Sequence, residues 1–196
     1  AFAVSVKRQP GAVALVEGDR RLTYAAWYDE IKAVAGGLRQ IGLRQHDHLV
    51  VVMRNRYEMA TLYWACHMIG VVFTPISWRA STEEIKYCFE NAEAAAVAFD
   101  GAAGDSAAQA AAELGLDPRR IIVAADGKGD GCAFADLIAA PPISGPLGVD
   151  EFSTCLMLYT SGTTGRPKGV PRSHRNELTA SISHIAQNQY RQGDSC

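Results

Sequence analysis

Apolar residues recur along this chain in two alternating rhythms. Trp27, Ile31, Val34, Leu38 and Ile41 fall three or four apart, the spacing of one helical face, and Gly42 stands where a helix C-cap belongs. Ahead of them, 14–16 and 21–24 read as two short strands around the turn Glu17-Gly18-Asp19-Arg20. The run 48–53 is continuously apolar, which predicts a strand covered on both faces. Asn55 and Glu58 stand at capping-box spacing before a helix carried by Met59, Leu62, Tyr63, Cys66 and Ile69, and Val71-Val72-Phe73 returns to strand. Ser81 and Glu84 repeat the capping spacing before Ile85, Cys88, Phe89 and Ala92. A small strand over 95–99, an alanine-rich helix over 105–113 closed by Gly115, a strand over 120–124 and a short helix over 134–138 follow. Pro141-Pro142, Gly145-Pro146 and Gly148 mark a connection to an apolar strand ending at Tyr159. Leu178, Ile182 and Ile185 define a last amphipathic helix. Strands alternating with helices predict an α/β fold: a layered, mostly parallel sheet flanked by helices.

Composition narrows this picture. The 196 residues are 48% hydrophobic and 20% charged, as in ordinary globular chains. A net charge of −2 supplies no general attraction for nucleic acid. Residues 59–78 hold no Asp, Glu, Lys or Arg, long enough for a membrane span, but Gly70 and Pro75 break the run into helix and strand, so no integral span is expected. Lys7-Arg8 follows rather than precedes a short apolar stretch, unlike a signal peptide. Five cysteines without a Cys-x-x-Cys pair suit reduced thiols in a cytoplasmic protein.

The candidate chemistry is concentrated in Thr160-Ser161-Gly162-Thr163-Thr164-Gly165-Arg166-Pro167-Lys168-Gly169. Gly162, Gly165 and Gly169 are expected to let the backbone turn, and turned amides form an anion-binding concavity. The hydroxyls of Thr160, Ser161, Thr163 and Thr164 add donors, and Lys168 adds a mobile positive charge beside the stiff Pro167. These features suit a polyphosphate. The Walker pattern does not apply, because Lys168 is followed by Gly169 rather than by Ser or Thr. Pro171 separates the loop from the helical pattern that starts near Ser173. Secondary candidates are Arg172 as a further phosphate contact and His174 as an ATP contact. His46 and His48 read as a solvated turn around Asp47, His67 as a satisfied core histidine, and Trp27, Tyr63 and Trp78 as core or rim.

From Tyr159 through Gly169, continuing into Val170-Pro171-Arg172-Ser173-His174, the chain resembles the phosphate-loop signature of adenylate-forming (AMP-binding) enzymes, most closely the acyl- and aryl-CoA synthetases. Looser similarity runs back through Gly70-Val71-Val72 and Leu22-Thr23-Tyr24. The resemblance implies ATP-dependent activation of a small carboxylic acid as an acyl-adenylate, with Mg2+, followed by thioester formation with coenzyme A. A carrier-protein acceptor, or a non-catalytic nucleotide-binding module, is the alternative. It further implies that Thr160, Ser161, Gly162, Thr163, Thr164 and Gly165 hold the β,γ-phosphates, that Lys168 neutralises the leaving group, and that Thr160 reaches the magnesium ion. It admits a homodimer. The chain is then expected to be the N-terminal part of a large AMP-binding domain: a first α/β region over 1–140, a linker over 141–153, and strand, phosphate loop and helix over 154–196. The rest of that domain and a C-terminal domain are expected to follow, and the fragment alone is expected to be inactive.

Overall fold

A computed structural model describes residues 2–124, 126–160, 166–191 and 194. The chain opens with α1 (Phe2–Arg8) and an antiparallel pair, β1 (Val13–Glu17) and β2 (Arg20–Thr23), joined in register at Glu17 and Arg20. Then come α2 (Tyr24–Gln40), β3 (His48–Val52), α3 (Tyr57–Ile69), β4 (Val72–Ile76), α4 (Thr82–Asn91), β5 (Ala94–Phe99) and α5 (Gly104–Glu113). A 3-10 turn (Pro118–Arg120) leads to β6 (Ile121–Val123), β7 (Cys132–Ala133) and α6 (Phe134–Ile138). The chain closes with β8 (Thr154–Thr160), β9 (Lys168–Ser173) and α7 (His174–Asn188). Seven strands form one sheet in the order β7-β6-β5-β3-β4-β8-β9. Every neighbouring pair is parallel except β8 and β9.

Strand alternation explains why this sheet needs helices on both faces. Leu49 and Val51 of β3, with Ala96 and Ala98 of β5, join a core with Ile31, Val34 and Leu38 of α2, Leu62 and Cys66 of α3 and Leu137 of α6. The intervening Val50, Val52, Val97 and Phe99 point the other way, into a core with Ile85 and Phe89 of α4 and the alanines of α5. Small alanine side chains let α5 lie close against α4. The sheet is therefore the middle layer of three, as the uninterrupted apolar run of β3 predicts.

Helix ends follow local chemistry in some places and tertiary context in others. Ser81 and Glu84 form the expected capping box at α4. The box expected from Asn55 and Glu58 does not form. The N-cap of α3 is Arg56, without a side-chain cap, and Glu58 is instead buried in an ion pair with Arg56. The orphan Tyr57 N–H donates to Glu17 Oε1 at 2.9 Å, so β1 caps a helix forty positions away. Gly70 ends α3 at φ +74°, in the left-handed region that favours glycine. The uncharged stretch 59–78 is shared between α3 and β4, and no described helix is long and apolar enough to cross a membrane.

Segment 141–153 runs back across the helical face, where Ile143 N–H donates to the Lys32 carbonyl at 3.1 Å and Leu147 N–H to that of Met68 at 2.9 Å. Gly36 permits this approach: a Cβ there would stand 2.1 Å from the Pro141 carbonyl oxygen. Gly36→Ala is accordingly expected to destabilise the fold by about 1–3 kcal/mol through overpacking, read as a lower Tm in thermal denaturation. An unchanged Tm would show that this segment lifts off α2 at no cost. Among the described cysteines, Cys66, Cys88 and Cys155 are buried and Cys132 is half-buried, all as free thiols.

A candidate phosphate-binding hairpin

The end of β8 is an apolar strand pressed between β4 and β9. Phe73 of β4 aligns with Leu156, and Cys155 and Leu156 are buried. Because β8 runs parallel to β3, β4 and β5, its last residue, Thr160, stands at the carboxyl edge of the sheet, where ligands of open α/β folds gather. The chain then returns as β9, antiparallel, with Thr160 opposite Lys168 and Tyr159 opposite Gly169. This strand was not expected from the sequence, which suggested a loop reaching Gly169. Gly169 does not turn the chain. It lies within β9, where a Cβ would stand 2.9 Å from Met157 Sδ, so its bareness makes room for β8 side chains.

Directly opposed residues of an antiparallel pair project from the same face with Cβ atoms roughly 4.5–5.5 Å apart. Thr160 and Lys168 thus project from the same face at the mouth of the hairpin, and both residues are exposed. Ser161, Gly162, Thr163, Thr164 and Gly165 lie outside the described residues.

Helix α4 holds the stems of the hairpin. Tyr159 Oη donates to Asn91 Oδ1 at 2.8 Å and approaches the Cys88 carbonyl at 3.5 Å. Tyr87 Oη donates to the Pro167 carbonyl at 3.1 Å, and the Arg166 guanidinium sits 5.3 Å from the Tyr87 ring centroid. Burial, with Cys88 and Tyr87 nearby, pushes the Tyr159 phenol up to about 12, so it acts as a neutral donor. Sequence reasoning missed Tyr87 and Asn91. Their only trace was the spacing of four on the polar side of a helix whose apolar side was plain. Tyr159→Phe removes the contact to Asn91 and is expected to lower stability by about 1 kcal/mol; a denaturation midpoint identical to wild type would rule out that anchoring.

The secondary candidates are placed elsewhere. Arg172 is ion-paired with Glu177 and is not a free phosphate contact. His174 follows Ser173, five strand steps beyond Lys168, or about 17 Å along β9. Its ring turns inward and meets His67 edge-on, with centroids 4.9 Å apart. His67 is not a satisfied core histidine, since its buried Nε2 has no hydrogen-bond partner. His48 Nδ1 is 3.0 Å from Thr74 Oγ1, while His46 occupies a left-handed turn at φ +73°, so the two histidines do not act as a pair. Trp27 is buried and donates from Nε1 to Thr61 Oγ1 at 2.9 Å.

The sequence profile of the family described as AMP-binding enzyme matches residues 2–195. Among curated relatives, 2-succinylbenzoate–CoA ligase of Bacillus licheniformis is 28% identical over 89% of this chain and 34% of its own length. Feruloyl-CoA synthase of an Amycolatopsis species is 30% identical over 87% of this chain and 32% of its own length. The chain thus spans about a third of the length of these relatives. The fold matches that of o-succinylbenzoate CoA synthetase from Bacillus subtilis, solved with its acyl-adenylate intermediate, at a TM-score of 0.80 and 22% identity over 98% of this chain and 47% of that one. It also matches benzoate CoA ligase from Burkholderia xenovorans at a TM-score of 0.81 and 22% identity, over 94% of this chain and 36% of that one.

Proposed function

Because the chain belongs to the AMP-binding enzyme family, we propose that it forms the N-terminal part of the large domain of an AMP-forming acid–thiol ligase acting on a fatty or aromatic acid. The observation that carries this reading is the hairpin mouth, where Thr160 and Lys168 face each other at the carboxyl edge of the sheet with both stems tied to α4. In this reading 1–140 is a first α/β region, 141–153 its linker, and 154–196 the strand, phosphate loop and helix.

A carboxylate is a poor acyl donor because its leaving group would be oxide. Attack of its oxygen on the α-phosphorus of ATP makes an acyl-adenylate and expels pyrophosphate. A thiol then attacks the acyl carbon, forming the thioester and releasing AMP. Residues 160–165 hold the β- and γ-phosphates, and Lys168 places its ammonium where negative charge grows on the departing pyrophosphate. Thr160 offers a hard, exposed oxygen of the kind Mg2+ accepts, and the ion when bound would neutralise phosphate charge there. Coenzyme A is the thiol in this reading. The free thiols of the described residues support a cytoplasmic location, and a homodimer is its expected assembly.

The test is carboxylate-dependent exchange of labelled pyrophosphate into ATP by the protein expressed from its uninterrupted gene, across fatty and aromatic acids, followed by thioester formation with coenzyme A. Exchange with thioester formation supports the reading. Exchange without it points to a carrier-protein acceptor, and ATP binding without exchange leaves a nucleotide-binding module.

A further inference from the structure

We propose that His67, Cys155 and His174 form a binding site for a thiophilic cation of the Zn2+ class. The three residues come from α3, β8 and the first turn of α7, and their ligand atoms all lie within 4.8 Å of one another. The Nε2 atoms of both histidines are buried without a hydrogen-bond partner. Buried polar atoms are rarely left so, and an unpartnered one calls for an explanation such as an absent ion. Imidazole nitrogen with thiolate sulfur selects Zn2+ over Mg2+ or Ca2+.

The protonation states suit coordination. Burial, helped by the neighbouring His174, lowers His67 to about 3, and burial also lowers His174, so both rings offer lone pairs at neutral pH. Tetrahedral Zn2+ with bonds of ~2.0–2.3 Å needs ligand separations of roughly 3.3–3.6 Å, so rotamer shifts of about 1 Å suffice. The Cys155 thiol now donates to the Arg172 carbonyl at 3.5 Å. Binding exchanges that S–H for an S–Zn bond and releases one proton to solvent. Burial holds the thiol up at about 12, so the proton stays until the metal displaces it. The ion-paired Glu177 and Arg172 both face Cys155 and act on it in opposite directions, so the complex keeps the single positive charge of Zn2+ with one thiolate. A cavity of about 180 Å3 bounded by Trp64, Pro146 and the two histidines can supply a water as fourth ligand. The site lies at the far end of the hairpin from Lys168, so the cation would pin α3, β8 and α7 together without touching the phosphate loop.

The experiment uses the full-length protein, stripped by chelator and titrated with Zn2+ and Co2+. One equivalent should bind, with a thiolate-to-cobalt charge-transfer band, one proton released per metal in buffers of different ionisation enthalpy, and a raised Tm with Zn2+. His67→Gln, His174→Gln and Cys155→Ser should each weaken binding by about 100-fold or more, and Cys155→Ser should abolish the charge-transfer band. Circular dichroism identifies any variant that fails to fold; His174→Gln, at a half-buried helix start, is the substitution the fold tolerates best. Absence of one-to-one binding to the wild type overturns the proposal. So does binding that persists at wild-type strength in His174→Gln.

Discussion

Lys168→Ala is expected to slow adenylation by the full-length enzyme by about 10²–10³-fold, equal to about 2.7–4 kcal/mol of lost electrostatic stabilisation, while leaving Tm unchanged. Both halves of the expectation come from where Lys168 sits. It is exposed at the first paired position after the loop and makes no ion pair among the described residues, so nothing in the fold depends on its charge. Its backbone is held opposite Thr160, at the end of the ladder next to the loop in sequence. Lys168→Arg keeps the charge but spreads it over a planar fork, and should recover only part of the rate. Pyrophosphate exchange measures the effect on the first half-reaction alone. Wild-type exchange by Lys168→Ala would remove the assigned role, whereas a fallen Tm would move that role into the fold.

Asp100→Ala should produce the largest loss of stability, about 3–5 kcal/mol, because it breaks a buried ionic network by removing one partner. Asp100 follows the last residue of β5 and has no solvent exposure. Its carboxylate accepts from the Ala102 and Ala103 amides at 3.1 and 3.2 Å and from the Arg54 amide at 3.2 Å, and Arg56 Nη1 lies 3.5 Å away. Arg56 in turn holds the buried Glu58 and the more exposed Asp126. Urea denaturation reads the loss, and a midpoint near wild type would mean that the arginines find new partners. Asp126 adds a pH dependence. Burial pushes its carboxyl up, but the Gly101 amide and the Arg56 guanidinium outweigh that and hold it below the ordinary aspartate range. Its contribution is therefore present above the unfolded-state pKa and fades as pH falls through the lower folded value.

The layered fold was legible because its signals are local and repeated. The unbroken run of β3 requires cover on both faces, and the spacing of three and four in α2 and α4 requires one buried face each. Features made by distant residues were not legible. Glu17 displaces Asn55 as the cap of α3, a contact invisible to any local pattern. Strand β9 contains Gly169 and Pro171, poor strand formers, and exists because β8 supplies a ladder for it. The amphipathic pattern of α7 was read correctly, yet Leu178, Ile182 and Ile185 remain about half exposed. The site followed the same division. Thr160 and Lys168 could be named from the motif, while their opposition across a hairpin, and the tyrosine anchors from α4, required the third dimension. His67 and His174 are 107 positions apart, and only the packing of α7 on α3 brings their rings together.

The cysteines also make the protein a timekeeper of its own opening. Burial holds the Cys88 thiol up at about 11 and that of Cys66 higher still, so while the fold is closed both are protonated as well as covered. Among the described cysteines an alkylating reagent therefore meets the half-buried Cys132 before the buried ones, and reaches Cys66 or Cys88 only when α3 or α4 leaves the sheet. The order and rate of mass increments report separately on the two faces, since Cys66 belongs to one core and Cys88 to the other.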